Sequence, residues 1–360
     1  MRNKSPSFLI INPFGIGDVL FSTALIRNLR DNFPESKIFY LCNRRADSIL
    51  SSHLLIHKTF IYERDEFEGI KKKSKLLWFR AFREFISQIR KEEIDICLDL
   101  SLNSQFGFFA WLAGIKKRFG LNYKKRGRFL TKKIPISGYE DKHVAEYYLD
   151  LLRLLDIEPQ ERKLEITVDP ECKTWADKFI DSKGLRGVLI IGVAPCGGQA
   201  FGKDAYIKRW PEANFSALVK RLVDELGAKI FIFAGPGEKK ETFNIINLSQ
   251  RPQSCFEFTD YPLEKIVALV EKCSLFIGND TGPLRFANAF SKKIVALFGP
   301  VDDKVYGLYP HDSGKYAVLK KDLPCRPCYK KFKLPLCPYD KKCLRDIKVD
   351  EVLEAVRALI

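Results

Sequence analysis

The sequence predicts an α/β protein of two domains, each built on a doubly wound parallel sheet. The chain has 360 residues, which is the length of two domains of ordinary size. Short apolar runs alternate with helix-like segments along it. The stretch Ser274–Pro300 contains an apolar run, a glycine-containing loop, a short helix and a second apolar run. So compact a βαβ unit is typical of a buried parallel sheet.

Composition and charge favour a globular protein with an anionic partner. Apolar residues make up 46% of the chain, and the formal net charge is +16. Such a surface suits nucleic acid, anionic lipid or a phosphorylated glycolipid, although charge can also serve solubility alone. No apolar run has the length of a membrane span, and Met1–Asn12 lacks the pattern of a cleavable signal peptide, so we expect a cytoplasmic protein. Its ten cysteines are then expected to be reduced or metal-bound.

The first predicted strand, Phe8–Ile11, leads into a turn that carries Gly15, Gly17 and Asp18. A helix with one apolar side is predicted from Val19 to Asn32. The glycines allow a tight turn, but the third glycine of the dinucleotide fingerprint is missing. A carboxylate at a helix N-terminus is stabilised in its charged form. Asp18 is therefore either an N-cap or a group placed to accept a proton.

The remainder of the first half continues the alternation, with predicted strands at Lys37–Cys42 and Ile94–Leu100. Lys71–Lys91 between them is predicted to be a basic amphipathic helix. This helix either packs on the core with a solvated face or lies on a membrane surface.

A run of basic residues extends from Lys116 to Arg128. Arg118, Arg126 and Arg128 are candidates for binding phosphate or carboxylate, because guanidinium pairs with these groups bidentately. The alternative is a solvated charge run. His143 precedes a predicted helix, Val144–Leu155, and it either caps that helix or reaches the same cleft.

The second domain is predicted to start after a linker at Glu158–Lys183 that contains one strand-like stretch, Leu164–Val168. A buried strand at Arg186–Ala194 is followed by the glycine-rich loop Pro195–Gly202. Small residues allow a ligand to approach the backbone closely. Lys208 follows this loop, where its charge could meet a diphosphate.

Two further strand-end loops follow in the second half. The strand Lys229–Phe233 runs into Gly235–Glu238, and Glu238 could accept hydrogen bonds from paired hydroxyls. The strand Leu275–Ile277 runs into Asn279–Gly282, and Pro283 suits the first turn of a helix. This last loop is either an ordinary connection or a phosphate site at a helix N-terminus. In a doubly wound sheet the three loops lie along one edge and could cradle one nucleotide diphosphate.

Cys325, Cys328, Cys337 and Cys343 form a C-x2-C-x8-C-x5-C pattern among lysines. Four thiolates suit a structural Zn or Fe ion. Free thiols or an oxidised pair are the alternatives, and the spacing between the two pairs is shorter than in standard zinc ribbons.

These motifs, in this order, resemble the ADP-heptose:lipopolysaccharide heptosyltransferases of glycosyltransferase family 9. The resemblance rests on G-x-G-D-x-L at residues 15–20, on K-R-W-P at residues 208–211 and on N-D-T-G-P-L-x-x-A-N-A-F with V-A-L-F-G-P at residues 279–300, and it covers nearly the whole chain. One difference is Arg285, which stands where the family usually has histidine. Arginine cannot shuttle a proton, but it can hold a phosphate.

The resemblance implies a GT-B fold with two facing Rossmann-like domains, an acceptor domain at 1–170 and a donor domain at 186–345. The C-terminal helix, 349–360, would pack back toward the first domain. The implied reaction is inverting transfer of heptose from ADP-heptose to a lipopolysaccharide core acceptor, an anionic glycolipid, at the cytoplasmic face of the inner membrane, without a catalytic metal. Asp18 would be the catalytic base. The implied acceptor-binding residues are Gly15, Gly17, Arg118, Arg126, Arg128 and His143. The implied donor-binding residues are Lys208, Glu238, Asp280, Thr281, Gly282 and Arg285.

Three other functions are weighed against this one. The same scaffold could use another nucleotide sugar or a protein acceptor, and Arg285 is the residue that favours this alternative. A catalytically silent homologue could act as a binding partner. A basic nucleic-acid-binding protein with a four-cysteine metal knuckle ranks lowest, because it leaves the G-x-G-D and N-D-T-G loops without a role.

Overall fold

A parallel sheet of six strands organises the first of two units, Met1–Lys163, in a computed structural model that describes residues 5–198, 202–311 and 314–360. The strands are β1 (Phe8–Ile11), β2 (Ile38–Cys42), β3 (Lys58–Ile61), β4 (Ile96–Asp99), β5 (Lys117–Tyr123) and β6 (Lys132–Ile136). Their spatial order is β3-β2-β1-β4-β5-β6. The helices are α1 (Ile16–Phe21), α2 (Thr23–Asn32), α3 (Arg44–Leu50), α4 (Arg64–Lys73), α5 (Lys75–Arg90), α6 (Ser104–Leu112) and α7 (Val144–Arg153).

The second unit, Leu164–Ile360, has its own six-stranded parallel sheet in the order β12-β11-β10-β7-β8-β9. The strands are β7 (Ile190–Ala194), β8 (Lys229–Phe233), β9 (Cys255–Phe258), β10 (Leu275–Asn279), β11 (Lys293–Leu297) and β12 (Tyr316–Leu319). The helices are α8 (Pro170–Ser182), α9 (Glu212–Leu226), α10 (Lys239–Ser249), α11 (Leu263–Lys272), α12 (Gly282–Ala289), α13 (Asp303–Tyr306), α14 (Lys342–Arg345) and α15 (Val349–Leu359), with 3-10 helices at Gly202–Lys208 and Pro252–Ser254.

Both sheets are doubly wound, as predicted. In the first unit the chain moves from β1 to β2 on one side and returns to β4 on the other, and in the second unit β7 separates β8 from β10 in the same way. Every residue of β1, β2, β7 and β10 is buried. Fully buried central strands are what an all-parallel sheet with helices on both faces requires.

Some element boundaries differ from the prediction. The helix predicted at Lys71–Lys91 is two helices, α4 and α5, which meet at Ser74, and the Ser74 hydroxyl caps α5 by accepting from the Leu77 amide at 3.3 Å. The linker predicted at Glu158–Lys183 contains α8, which belongs to the second unit because Phe179 packs on Phe231, Phe256 and Phe258 of its sheet. No strand forms at the described residues 164–168.

The C-terminal helix α15 packs its apolar face on its own unit. Val352, Leu353 and Val356 are buried in the core that also contains residues of β7, β8, α9, β10 and β11. The predicted packing toward the first domain stays a prediction. Among the described residues, none of the helices combines the length and apolar character needed to cross a bilayer.

Candidate functional site

Three strand-end loops of the second unit lie side by side. Their strands β10, β7 and β8 are neighbours in the parallel sheet, so the loops after them leave the same edge. The predicted alignment of the three loops is therefore confirmed. The connection after β7 runs toward β8, and the connection after β10 runs in the opposite direction toward β11. The point between β7 and β10 is therefore a topological switch point, where open α/β sheets bind ligands. Residues 199–201 of the predicted loop Pro195–Gly202 lie outside the described part of the chain.

Asn279, the last residue of β10, ties these loops together. Its side chain is fully buried, and its amide nitrogen donates to the carbonyl oxygens of Pro195, at 2.6 Å, and Cys196, at 3.3 Å. Its amide oxygen accepts from the backbone N–H of Trp210 at 3.1 Å. The sequence analysis did not identify this role. The sequence does show a polar residue at the end of an otherwise apolar strand. A buried amide in such a position must find hydrogen-bond partners, so this pattern could have indicated the role of Asn279.

A buried charge cluster lies beside the loop after β10. The Lys208 ammonium is 2.6 Å from one carboxylate oxygen of Asp280, and the Arg285 guanidinium bonds the other. Lys208 is 6% exposed and Arg285 is 4% exposed. Burial acts to raise the pKa of Asp280, but the two cations outweigh it and the pKa is lowered. Two cations and one anion leave a net charge of +1, which favours an anionic ligand.

The Arg285 side chain bonds groups of the protein, whereas the predicted role was contact with the donor. Its guanidinium donates to the backbone carbonyl oxygens of Tyr306 and Gly307, at the end of α13, as well as to Asp280. Both terminal nitrogens are thus committed within the protein. The direct phosphate contact predicted for Arg285 is not supported by this placement. The residue instead fixes Asp280 and the end of α13 relative to each other.

The N-terminus of α12 offers room for a ligand. Thr281 occupies the N-cap position, but its hydroxyl makes no capping hydrogen bond and contacts the Asn279 carbonyl oxygen at 3.3 Å. A Cβ atom built on Gly282 would meet no atom within 4 Å. The first residue of the helix therefore has open space beside it and lies close to the buried cations, and a helix N-terminus near cations suits a phosphate.

Glu238 holds the loop after β8. Its carboxylate accepts from the Gly235 N–H at 2.9 Å and pairs with Arg209 at 3.1 Å, and the residue is buried. Gly237 in this loop has φ +85°, a backbone conformation that favours glycine. Because both carboxylate oxygens already have partners, Glu238 shapes the loop, and its predicted hydrogen bonds with paired hydroxyls of the donor stay a prediction.

Asp18 lies in the first turn of α1, after β1 of the first unit. The N-cap is Gly15, with an ordinary φ of −70°, and Asp18 is the third residue of the helix. The N-cap alternative for Asp18 is therefore wrong. A Cβ on Gly15 would meet nothing within 4 Å, so the turn leaves space at this helix end. The buried Asn12 side chain donates to the backbone oxygen of Asp18 at 3.1 Å and holds the turn in place.

Several buried polar side chains lie near this turn. Burial raises the pKa values of Tyr40, Tyr139 and Tyr148, and the charge of Asp18 adds to each shift. Asp99 ends the neighbouring strand β4, and burial raises its pKa to about 6 although it accepts from the Ser101 N–H at 2.8 Å. Asp99 was not a predicted site residue. Perturbed carboxyl groups at a switch point are typical of functional sites.

The predicted acceptor-binding arginines fall into two groups. The Arg118 side chain donates to the carbonyl oxygens of Phe129, at 2.6 Å, and of Ile115 and Lys116, so it ties β5 to its neighbouring loops. Its predicted role in gripping the acceptor is not supported by this placement. Arg126 and Arg128 are exposed in the turn between β5 and β6, beside aromatic rings. Their acceptor role stays a prediction.

His143 caps α7. The residue is buried, its Nδ1 accepts from the Ala145 N–H at 3.1 Å, and its ring packs edge-on against Phe21 of α1 at 4.6 Å. The capping alternative is thus the one observed. Through Phe21 the histidine also supports the helix that carries Asp18.

Four cysteines line one small cavity in the segment between β12 and α15: Cys325, Cys328, Cys337 and Cys343. None is in a disulfide, so the oxidised-pair alternative is not observed. Burial, with the neighbouring thiols adding to it, raises the pKa of Cys328 to about 11. Within residues 5–198, 202–311 and 314–360, no three His, Cys, Asp or Glu side chains are arranged as a set of metal ligands. The predicted Zn or Fe ion stays a prediction.

Comparisons with known proteins agree with this architecture. The family model for glycosyltransferase family 9 (heptosyltransferase) matches residues 82–337. Lipopolysaccharide heptosyltransferase 3 of Escherichia coli is 24% identical over 296 residues, which are 79% of this chain and 81% of that protein. Lipooligosaccharide heptosyltransferase 2 of Campylobacter jejuni is 27% identical over 275 residues, 72% of this chain and 78% of that protein.

Two solved structures share the fold. E. coli ADP-heptose lps heptosyltransferase II superposes with a TM-score of 0.76 at 22% identity, over 98% of both chains. A family 9 glycosyl transferase from Veillonella parvula gives a TM-score of 0.80 at 23% identity, over 100% of this chain and 98% of that one. The predicted GT-B fold is confirmed.

Proposed function

The chain belongs to glycosyltransferase family 9, and we propose that it transfers heptose from ADP-heptose to a lipopolysaccharide core acceptor with inversion at the anomeric carbon. The observation that carries this proposal is the buried Lys208–Asp280–Arg285 cluster, with its net positive charge, beside the open N-terminus of α12. That combination suits the diphosphate of a nucleotide sugar.

The donor diphosphate would bind at the loops after β7 and β10. Lys208 is preorganised by its 2.6 Å ion pair with Asp280, and the helix end at Thr281 and Gly282 adds backbone donors. As the bond between the anomeric carbon and the diphosphate oxygen breaks, negative charge grows on ADP. Fixed positive groups aimed at that charge lower the barrier, because they need no reorganisation at the moment of reaction.

Asp18 would act as the general base. An acceptor hydroxyl attacks the anomeric carbon from the face opposite the diphosphate, its proton passes to the Asp18 carboxylate, and ADP leaves with the electron pair of the broken bond. The position of Asp18 in the first turn of α1, beside the open space at Gly15, is compatible with this role. Arg126 and Arg128, both exposed, would bind anionic groups of the acceptor.

The experiment is the substitution Asp18→Asn, measured as heptose transfer from ADP-heptose to a lipopolysaccharide core acceptor. We expect turnover to fall by roughly 10²-fold or more, the usual contribution of a general base, with ADP affinity unchanged. Asp31→Asn is the matched control, because Asp31 is an exposed carboxylate on α2 of the same unit. Unchanged turnover in Asp18→Asn would remove Asp18 as the base.

A different nucleotide sugar or a protein acceptor is the second candidate, and Arg285 favours it. Arg285 stands where the family usually has histidine, and its guanidinium bonds Asp280 and two carbonyl oxygens, so this position supplies no group that could shuttle a proton. Transfer assays with a panel of nucleotide sugars, each tested with a lipopolysaccharide core acceptor and with a protein acceptor, distinguish the candidates. Turnover confined to ADP-heptose and the lipopolysaccharide core acceptor supports the first proposal, whereas preference for another sugar or for the protein acceptor replaces it.

A further inference from the structure

Two consecutive cations, Lys208 and Arg209, lie in the segment that joins β7 to α9. The Lys208 ammonium pairs with Asp280 in the loop after β10, and the Arg209 guanidinium pairs with Glu238 in the loop after β8. Because β7 lies between β10 and β8 in the sheet, the two side chains reach loops on opposite sides of β7. Lys208 is part of the proposed donor site, and Arg209 links the same segment to the loop after β8.

Arg209 is bonded to two carboxylates at the start of α10. Its Nη2 atom is 3.1 Å from an oxygen of Glu238, the N-cap residue of α10, and its Nη1 atom is 2.6 Å from an oxygen of Glu241 in the first turn. The Arg209 side chain is 25% exposed, and the side chains of Glu238 and Glu241 are 9% and 22% exposed. Solvent screens such partly buried ion pairs less than surface pairs, so they hold their partners more firmly.

The loop after β8, residues 234–238, closes on the Glu238 carboxylate. One carboxylate oxygen accepts from the Gly235 N–H at 2.9 Å, and the other is bonded by Arg209. Gly237, between these two residues, has φ +85°, so the turn uses a conformation that favours glycine. The Glu238 side chain therefore couples the conformation of this loop to Arg209, and through the preceding residue to Lys208.

The charges on the two sides of β7 are opposite. Two carboxylates and Arg209 leave a net charge of −1 beside the loop after β8, whereas the Lys208–Asp280–Arg285 cluster carries +1. A diphosphate is attracted to the positive cluster and repelled by the carboxylates, so the loop after β8 suits the uncharged hydroxyls of a nucleoside. Without Arg209, the two carboxylates would repel each other and the diphosphate more strongly.

We propose that Arg209 is a positioning residue of the donor site, which holds the loop after β8 in place for the nucleoside of the donor while Lys208 binds the diphosphate. Arg209 acts through Glu238 and not on the reacting atoms. A purely structural role would be to fasten the first turn of α10, and the two carboxylates separate these roles, because Glu238 belongs to the loop and Glu241 to the helix. The inference rests on the proposed function, since it needs a nucleotide donor at the second unit.

The experiment measures the binding of ADP and of inorganic pyrophosphate to the full chain by isothermal titration calorimetry. ADP contains a nucleoside and a diphosphate, and pyrophosphate contains the diphosphate alone. We expect Arg209→Gln to weaken ADP binding by about tenfold and to change pyrophosphate binding by less than about twofold, because the loop after β8 receives only the nucleoside. Lys208→Met should weaken the binding of both ligands.

Glu241→Gln is the matched control, because it removes one ion pair of Arg209 and leaves the bond to Glu238 in place. Its ADP affinity should stay within about twofold of the parent value. The double variant Arg209→Gln/Glu238→Gln should bind ADP as Glu238→Gln alone does, because Arg209 acts through that carboxylate. Circular dichroism melting curves verify that each variant is folded at the temperature of the titration.

Three results would overturn this inference and leave the proposed function standing. The first is an Arg209→Gln variant that binds ADP as the parent does. The second is equal weakening of ADP and pyrophosphate binding by Arg209→Gln, because that outcome describes general damage to the donor site. The third is a Glu241→Gln variant that weakens ADP binding as much as Arg209→Gln, because Arg209 would then act by fastening α10. Parent protein that does not bind ADP would contradict the proposed function, and this inference would fail with it.

Discussion

At the scale of single residues, Arg285 holds together several groups of the candidate donor site. Its guanidinium joins the Asp280 carboxylate to the carbonyl oxygens of Tyr306 and Gly307. Asp280 in turn holds Lys208, the cation that we propose binds the donor diphosphate. The position of Lys208 therefore depends on a residue that bonds the other oxygen of the same carboxylate.

We expect Arg285→Gln to destabilise the protein by about 3–5 kcal/mol, the usual result of removing one partner from a buried ion pair. Because the pKa of Asp280 is lowered in the folded protein, its ion pairs stabilise the fold above the ordinary carboxyl pKa, and this contribution is lost as the pH falls through the folded value. The difference between Arg285→Gln and the parent should thus be present at neutral pH and shrink in acid, as measured by urea unfolding.

The same substitution should raise the KM for the donor more than it lowers kcat, since it displaces Lys208 without removing it. Arg285→Lys should not restore the parent values, because an ammonium cannot bond three oxygens in the planar arrangement of a guanidinium. Arg118→Gln is the control. It also removes an arginine that donates to backbone carbonyls, but in the first unit, so donor KM should stay constant. A normal donor KM in Arg285→Gln would contradict the positioning role.

At the scale of elements, the sequence predicted those units whose strand, loop and helix are contiguous. The strand-end loops after β1, β7, β8 and β10 were all found in this way, because apolar runs and glycines mark them locally. Strands β5 and β6 were missed. They carry lysines and arginine at their starts, and their strand character comes from the pairing of β5 with β4 and of β6 with β5, which no local pattern displays.

Local sequence patterns also could not predict the contacts within the candidate site, because these contacts join residues that are far apart in the chain. Asn279 bonds atoms of Pro195 and Cys196, more than 80 positions away, and Arg285 bonds Gly307. Motif spacing could identify Asp280 and Lys208 as site residues, but not that they pair with each other. The residue types were therefore predictable, and their orientations required the fold.

The cysteine-rich segment between β12 and α15 is attached to the loop after β11 and to α13 of the second unit. Arg326, inside the C-x2-C pair, donates to the Gly299 carbonyl oxygen at 2.5 Å and reaches the Asp303 carboxylate at 3.3 Å. Asp303 begins α13, whose end is bonded by Arg285. A continuous set of contacts thus leads from the cysteine cluster to the Lys208–Asp280 pair.

We expect purified protein to contain about one Zn or Fe ion per chain. The four thiols line one cavity, and binding the ion would require them to lose their protons and to move into a ligand arrangement that the described residues do not form in this structure. Elemental analysis measures it. Cys325→Ser/Cys328→Ser should lose the metal and raise the KM for the donor through the contacts of Arg326. Cys172→Ser on α8 is the control, since this cysteine lies outside the cluster. Metal-free protein with a normal donor KM would leave the cluster as free thiols.

At the scale of the whole molecule, the chain forms two separate sheets, each with its own core. In each sheet the polar loops gather at a switch point, after β1 and β4 in one unit and after β7 and β10 in the other. The buried cations lie in the second unit, and the carboxylates Asp18 and Asp99 lie in the first. A nucleotide diphosphate is therefore expected to recognise the second unit alone.

Hydrogen–deuterium exchange of the full chain with and without ADP tests this expectation. ADP should protect amides in the loops after β7, β8 and β10 and at the end of α13, because Lys208, the α12 N-terminus and the Arg285 bonds belong to one connected site. Amides at residues 12–18 and 123–130 should respond only when acceptor is added. Lys208→Met should lose the protection, whereas Lys220→Met, which removes an exposed lysine paired with Asp224 on α9, should keep it. Protection confined to the first unit would place the nucleotide at the sheet of the first unit. That result would contradict the donor role proposed for the second unit and the acceptor role proposed for the first.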